Sequence, residues 1–93
     1  MLTKEDVLQC KYMERPTVRC KYACTYVDQD GRRTKGERET TGKIDIDGNN
    51  PWVTIWAAGS HIAERFSWSL VLAVLNDKYE PPIYFGAVPE YEV

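Results

Sequence analysis

Residues 17–31 read TVRCKYACTYVDQDG, and they decide the fold. Val18, Cys20, Tyr22, Cys24 and Tyr26 alternate with Arg19, Lys21, Ala23 and Thr25, the period of two of a strand with one apolar face. Asp28-Gln29-Asp30-Gly31 follows at once, and its Asp-Gly pair supplies the positive backbone angles of a hairpin turn, so Arg32 onward is expected to return as a second strand. No apolar side chain occurs from Arg32 to Lys43. That stretch therefore reads as a solvated edge strand or a mobile arm, with a weakly specified pairing register.

Working toward the C-terminus, alternation resumes at Ile44 and Ile46. Asp47-Gly48-Asn49-Asn50-Pro51 is a dense turn signal, and Trp52-Val53-Thr54-Ile55-Trp56 is a strand rich in β-formers. Ser60 is a candidate N-cap for a helix of about residues 60–76, with Ile62, Ala63, Phe66, Leu70, Ala73 and Val74 on the face that should cover the sheet. Asn76-Asp77 and Pro81-Pro82 end that helix, and Ile83 to Val88 is expected to add a last strand before the acidic tail Glu90-Tyr91-Glu92. Toward the N-terminus, Thr3-Lys4-Glu5-Asp6 resembles a capping arrangement for a short helix from about Lys4 to Tyr12, stopped by Pro16. The expectation is a small single α+β domain spanning 1–93. It has an antiparallel meander of three to five strands, the main helix packed on one face and a short N-terminal helix.

The totals bound the function. A chain of 93 residues holds one modest core and no separate cofactor domain. Apolar residues at 43% and charged residues at 28% belong to a soluble globular protein, and 12% aromatics exceeds what disordered segments carry. Ten Lys/Arg against seven Asp/Glu in residues 1–43 become two against seven in residues 44–93. The net charge of -2 and pI near 5.3 give no long-range pull toward nucleic acid or an anionic membrane, so any such binding must be local. The longest apolar run, Leu70 to Leu75, falls far short of the roughly 20 residues of a membrane span, and Glu5 and Asp6 stand where a signal peptide would be basic. Cytoplasmic residence and no membrane partner are the expectations. An odd set of cysteines, Cys10, Cys20 and Cys24, favours reduced thiols.

Two constellations are candidates for partner binding. On the expected helix, Trp68, Leu72 and Leu75 form a second stripe roughly opposite Phe66 and Leu70, and a tryptophan there is an interface anchor unless the N-terminal helix or last strand covers it. In the arm, Arg32, Arg33, Lys35 and Arg38, with Lys43, could contact phosphates while Tyr22 and Tyr26 stack bases, although Glu37 and Glu39 interrupt the series. Helix, strands, helix is also the element order of double-stranded RNA-binding domains. The lysine cluster that those domains place at the second helix is replaced here by Gly59-Ser60-His61-Ile62-Ala63-Glu64-Arg65, so membership does not follow.

Catalytic and metal signatures fail on spacing. Cys10, Cys20, Cys24 and His61 could in principle hold zinc, but on an extended strand Cys20 and Cys24 stand about 13 Å apart, too far for a knuckle. A Cys24–His61 nucleophilic pair lacks an orienting third group. Gly36 to Lys43 is not a phosphate loop, because five residues separate its glycines and Ile44 replaces the Ser/Thr. Asp45 to Asn49 reads as an Asx-rich turn, with Trp56 where a calcium loop needs its closing carboxylate. No metal and no cofactor are expected. The function expected is a non-enzymatic protein-binding or inhibitory module acting on a protein or nucleoprotein complex. Small phage or mobile-element inhibitors of host machinery, anti-CRISPR proteins among them, have this size and lack of catalytic equipment. The alternatives are a nucleic-acid-binding module using the arm 32–43, and a homodimeric structural protein.

Overall fold

The computed structural model of the chain describes residues 1–45 and 51–93. Its elements are helix α1 (Lys4–Gln9), a 3-10 turn (Tyr12–Glu14), strands β1 (Thr17–Val27), β2 (Arg33–Asp45), β3 (Trp52–Ala57) and β4 (Ala63–Ser67), helix α2 (Trp68–Leu75), and short strands β5 (Ile83–Tyr84) and β6 (Glu90–Glu92). The sheet runs β4-β3-β2-β1-β5, with β6 also on β1. Strands β1 to β4 form the antiparallel meander, but β5 and β6 lie parallel to β1, so the sheet is mixed. The parallel pairing follows from α2, which carries the chain back over the sheet to its other edge.

The strand read at 17–27 has the expected bounds, and its alternation is the alternation of burial: Val18, Cys20, Tyr22 and Cys24 are buried and Arg19 and Ala23 exposed. The hairpin turn closes through Asp28, whose Oδ1 accepts from the Asp30 and Arg32 amides, with Gly31 at φ +79°. The arm is an ordered strand, in register with β1 from Thr17↔Lys43 to Val27↔Arg33. Among the described residues only Gly42 to Asp45 also pair with β3, and no other strand pairs with that edge of β2 from Arg33 to Thr40. This long ribbon gives the molecule its 50 × 23 × 21 Å extents.

The helix expected at 60–76 divides in two. Ala63–Ser67 pairs with β3, Trp52↔Ser67 through Trp56↔Ala63, and the helix begins only at Trp68. Ser67, not Ser60, is the N-cap, its Oγ accepting from the Leu70 amide. Ser60 instead shapes the β3–β4 turn, its Oγ donating to the Ala57 carbonyl and accepting from the Ile62 amide. The reason is local ambiguity: Ile62, Phe66 and Leu70 fit a helical stripe, yet Glu64 and Phe66 equally fit the inward face of a strand. The Asp77 and Lys78 amides close the helix C-terminus on the Val74 and Ala73 carbonyls. The N-terminal helix is shorter than expected, ending at Gln9. Its capping box is complete, Thr3 Oγ1 accepting from the Asp6 amide and Asp6 Oδ2 from the Thr3 amide. The last strand expected at 83–88 reduces to β5, and the acidic tail pairs as β6. The turn expected at 47–51, with Ile46, lies outside the described residues apart from Pro51.

The sheet is curled, so its inner face wraps Val7 of α1 and Trp68, Val71 and Val74 of α2 against Val18, Cys20, Ile44, Val53, Ile55, Ile83 and Phe85. Each fully buried aliphatic or aromatic side chain contributes about 1.5–3 kcal/mol. The curl brings β4 round to the segment after β5: the Phe66 and Phe85 rings lie 5.2 Å apart, and the Glu64 carboxylate accepts from the Gly86 (2.9 Å) and Ala87 (2.8 Å) amides. A side chain thus bridges the two edges where strand pairing does not. Among the described residues no helix is long and apolar enough to cross a membrane.

Candidate functional site

The expected Trp68 stripe is not a surface. Trp68 is the first residue of α2, buried to 6% exposure, with the Lys4 ammonium 5.7 Å from the ring centroid. Leu75 is half-buried against the core. Leu72 is also half-buried and lines a groove of about 450 Å³ between α2 and the N-terminal residues. The Asn76 amide fastens that N-terminal segment, accepting from the Leu2 amide and donating to the Leu2 carbonyl. The N-terminal segment therefore lies over Trp68 and beside Leu72, the alternative that the sequence left open beside an interface.

The basic arm is divided by its own pleat. Strand side chains alternate between faces, so Arg33 and Lys35 project outward while Arg38 projects to the inner face. Arg32 lies in the turn. Arg33 pairs with Glu90, and the cations of β1 beside the arm are also engaged: Arg19 with Glu39, and Lys21 with Glu37 at 2.9 Å. The carboxylate of Glu37 accordingly holds the Lys21 ammonium above its ordinary pKa. On the inner side, the Arg38 guanidinium stands 4.0 Å from the Tyr91 ring centroid and 5.9 Å from that of Tyr26, and its Nε donates to the Tyr26 hydroxyl at 3.3 Å. The Tyr22 and Tyr91 hydroxyls share a 2.9 Å hydrogen bond. Tyr22 and Tyr26 thus serve this cluster and do not form an outward stacking platform, and the expected arm of converging cations is not assembled.

What the sequence reading passed over is the outer face of β3. Trp52 and Trp56 are exposed at 47% and 40%, on the same side of the sheet with Thr54 between them, about 13 Å apart at strand rise. Their directly opposite neighbours on β4 are small, Ser67 beside Trp52 and Ala63 beside Trp56, with Arg65 between them opposite Thr54, and both rings stay partly exposed. Trp56 Nε1 donates to Asp45 Oδ2 at 3.1 Å, which fixes that ring, and Lys43 faces it from β2. Tyr84, 61% exposed, lies on the same outer side at the far strand β5, with the Lys21 ammonium 6.0 Å from its ring. The signal was present: in WVTIW one face is Val and Ile, the other Trp and Trp, and either could point inward. Trp is large enough to win that choice in most cores. Here the β-branched Val53 and Ile55 take the interior.

The chemistry-bearing residues do not converge. Cys20 and Cys24 are buried on the inner side of β1, Cys10 donates its thiol to the Asp6 carbonyl, and all three are unpaired thiols. Burial pushes the Cys20 thiol pKa up, with Glu39 adding to it, the opposite of an activated nucleophile. His61 lies exposed in the turn after β3. Among the described residues no three His, Cys, Asp or Glu side chains come together as a metal set. The cavity under the 3-10 turn, between Tyr12, Arg15, Pro16 and Ile44, measures about 60 Å³, a volume for waters and not for a metabolite.

No family model matches the chain, and neither a curated protein nor a solved structure is significantly similar to it.

Proposed function

We propose that the protein is a non-enzymatic binding module that engages a protein surface across the outer face of β3, with Trp52 and Trp56 as anchors. One observation carries the reading: two exposed tryptophans share one face of a strand that has partners on both sides. Tryptophan offers large apolar area with few rotamers and is enriched among binding hot spots, and a strand already held in a sheet loses little entropy on binding. The charge arrangement supports a protein partner over a polyanion, because Arg19, Lys21 and Arg33 are neutralised by Glu39, Glu37 and Glu90. Binding is then the whole of the action: the module works by occupying a partner's surface, the inhibitory mode expected from the sequence.

The test compares capture by the full chain with capture by Trp52→Ala and Trp56→Ala, each with and without nuclease. The expected result is a nuclease-resistant protein whose retention falls about thirtyfold with Trp56→Ala, the size of a hot-spot loss, and persists with Arg32→Ala/Arg33→Ala. Retention that ignores both tryptophans, or that vanishes with nuclease, overturns the reading.

A further inference from the structure

The open edge of β2 has an internal symmetry. The Asp28 amide donates to the Arg32 carbonyl, so the backbone groups of Arg32, and of every second residue after it, face β1. Those of Arg33, Lys35, Glu37 and Glu39 therefore face away, toward the edge that β3 does not reach. The Thr41 carbonyl, next in that series, does face the β3 side, where it accepts from the Ala58 amide. These same residues carry the outward side chains, in the order plus, plus, minus, minus about Gly36.

We propose that this edge is a self-association site at which β2 pairs antiparallel with β2 of a second copy, the two-fold axis passing through Gly36. In that register Arg33 lies opposite Glu39 of the second copy and Lys35 opposite its Glu37, and each such pair exchanges both of its N–H···O bonds. Every charge meets its opposite. Sliding by one pairing step in either direction places Glu37 against Glu37 or Lys35 against Lys35, and a one-residue slip takes the backbone donors and acceptors out of phase. Lys35, with no ion pair among the described residues, gains one, and Glu37 and Glu39 come to sit between two cations each, since Lys21 and Arg19 already flank them. Gly36 falls at the closest non-hydrogen-bonded position, where Cα atoms approach to about 4.5 Å and no side chain stands in the way. The register uses Arg33 to Glu39 and stops short of Gly42, where β3 pairs.

Charged side chains on a free edge usually keep strands apart, and proline or a bulge does the same. This edge has neither proline nor bulge from Arg33 to Thr40, and the order of its charges turns repulsion between copies into attraction in one register. Pairing here is independent of the Trp52–Trp56 face, which lies on another part of the molecule.

Sedimentation velocity of the full chain over a concentration series, at low salt and at about 1 M salt, where screening acts within about 3 Å, tests the proposal. The expected result is a dimer at low salt that weakens with salt. Lys35→Glu and Glu37→Lys should each weaken self-association about tenfold or more, because the two-fold repeats every like-charge contact. An equimolar mixture of the two variants should restore the dimer. On one side of the axis the two substituted side chains then face each other with opposite charge, and on the other side the unchanged Lys35 of one copy faces the unchanged Glu37 of the other. A chain that stays monomeric at the highest concentration, a dimer indifferent to both substitutions, or a mixture no more associated than its components overturns it.

Discussion

The β1–β2 ribbon is one unbroken pairing, yet its two halves are held by different forces. Near Thr17 and Lys43 the inner face is Val18, Cys20 and Ile44, clamped by β3 and α2. Toward Val27 and Arg33 the inner face is Tyr22, Cys24, Tyr26, Gly36, Arg38 and Tyr91, and among the described residues β6 is the further strand there. The near half is fixed by burial and shape alone, whereas in the far half burial of Tyr22 and Cys24 gives way toward the turn to cation–π and hydroxyl contacts of Tyr26, Arg38 and Tyr91. Regular backbone pairing therefore does not imply uniform stability. The near half should open only with global unfolding, and the far half by local opening at lower cost.

The largest expected effect is in the near half. Replacing Trp68 by Ala should cost about 3–5 kcal/mol in denaturant unfolding, because it empties a buried aromatic site. Trp56→Ala, at an exposed site, should stay near 0.5 kcal/mol. Similar losses for both would remove the distinction between core and docking tryptophans. Glu64→Ala comes next: without its carboxylate the Gly86 and Ala87 amides lose their partners, and about 1–2 kcal/mol should go with them.

Two glycines of one strand sharpen the contrast. A Cβ on Gly42 would lie 2.7 Å from Ile55 Cγ2 and 2.9 Å from Val18 Cγ2, inside the packed core, so Gly42→Ala should cost about 1–3 kcal/mol by overpacking. A Cβ on Gly36 would lie 2.5 Å from Tyr26 Cε2, and that half-buried ring can tilt away only by adjusting its contacts with Arg38 and Tyr91, a smaller rearrangement than repacking the core. Relief of the glycine's strand penalty, about 0.5–1 kcal/mol, offsets the move, and Gly36→Ala should be near neutral. Equal costs at the two sites would mean that the far half is packed as tightly as the near one.

How far this division was legible in the sequence depends on the residue. The alternation of 17–27 and the Asp-Gly turn located the ribbon and its inner face, because a period of two needs no tertiary information. The all-polar run 32–43 announced an edge but not that it would be ordered, since its order comes from β1 and from Tyr91 more than fifty residues away. The helix boundary failed for the same reason: Glu64 and Phe66 are strand residues only because β3 lies beside them. The candidate site was the least legible part. Which face of WVTIW turns inward is set by the register of β3 between β2 and β4, which the local sequence does not carry, and Trp68 is covered by the N-terminal segment, tied down through Asn76 and Leu2.

The smallest effects distinguish the two ends by pH. The Thr3 amide and hydroxyl hold the Asp6 carboxyl below its ordinary 3.8. A lowered carboxylate contributes stability that is present above pH 3.8 and lost as pH falls through the folded value. Acid should therefore fray α1, and Asp6→Asn should abolish that dependence. At the far end, burial first and the Tyr22 hydroxyl second hold the Tyr91 phenol above its ordinary 10.0, with the Arg38 guanidinium opposing them. Its contribution is complete below pH 10.0 and is lost as pH rises through the folded value, so alkali should open the Tyr26–Arg38–Tyr91 cluster and leave α1 intact. Tyr91→Phe removes the ionisation but keeps the ring beneath Arg38. Local amide exchange followed with pH in both variants assigns each limb to its end of the molecule. If the Tyr91→Phe protein still loosens between β1 and β6 in alkali, the far half is not held by this phenol, and backbone pairing alone accounts for its order.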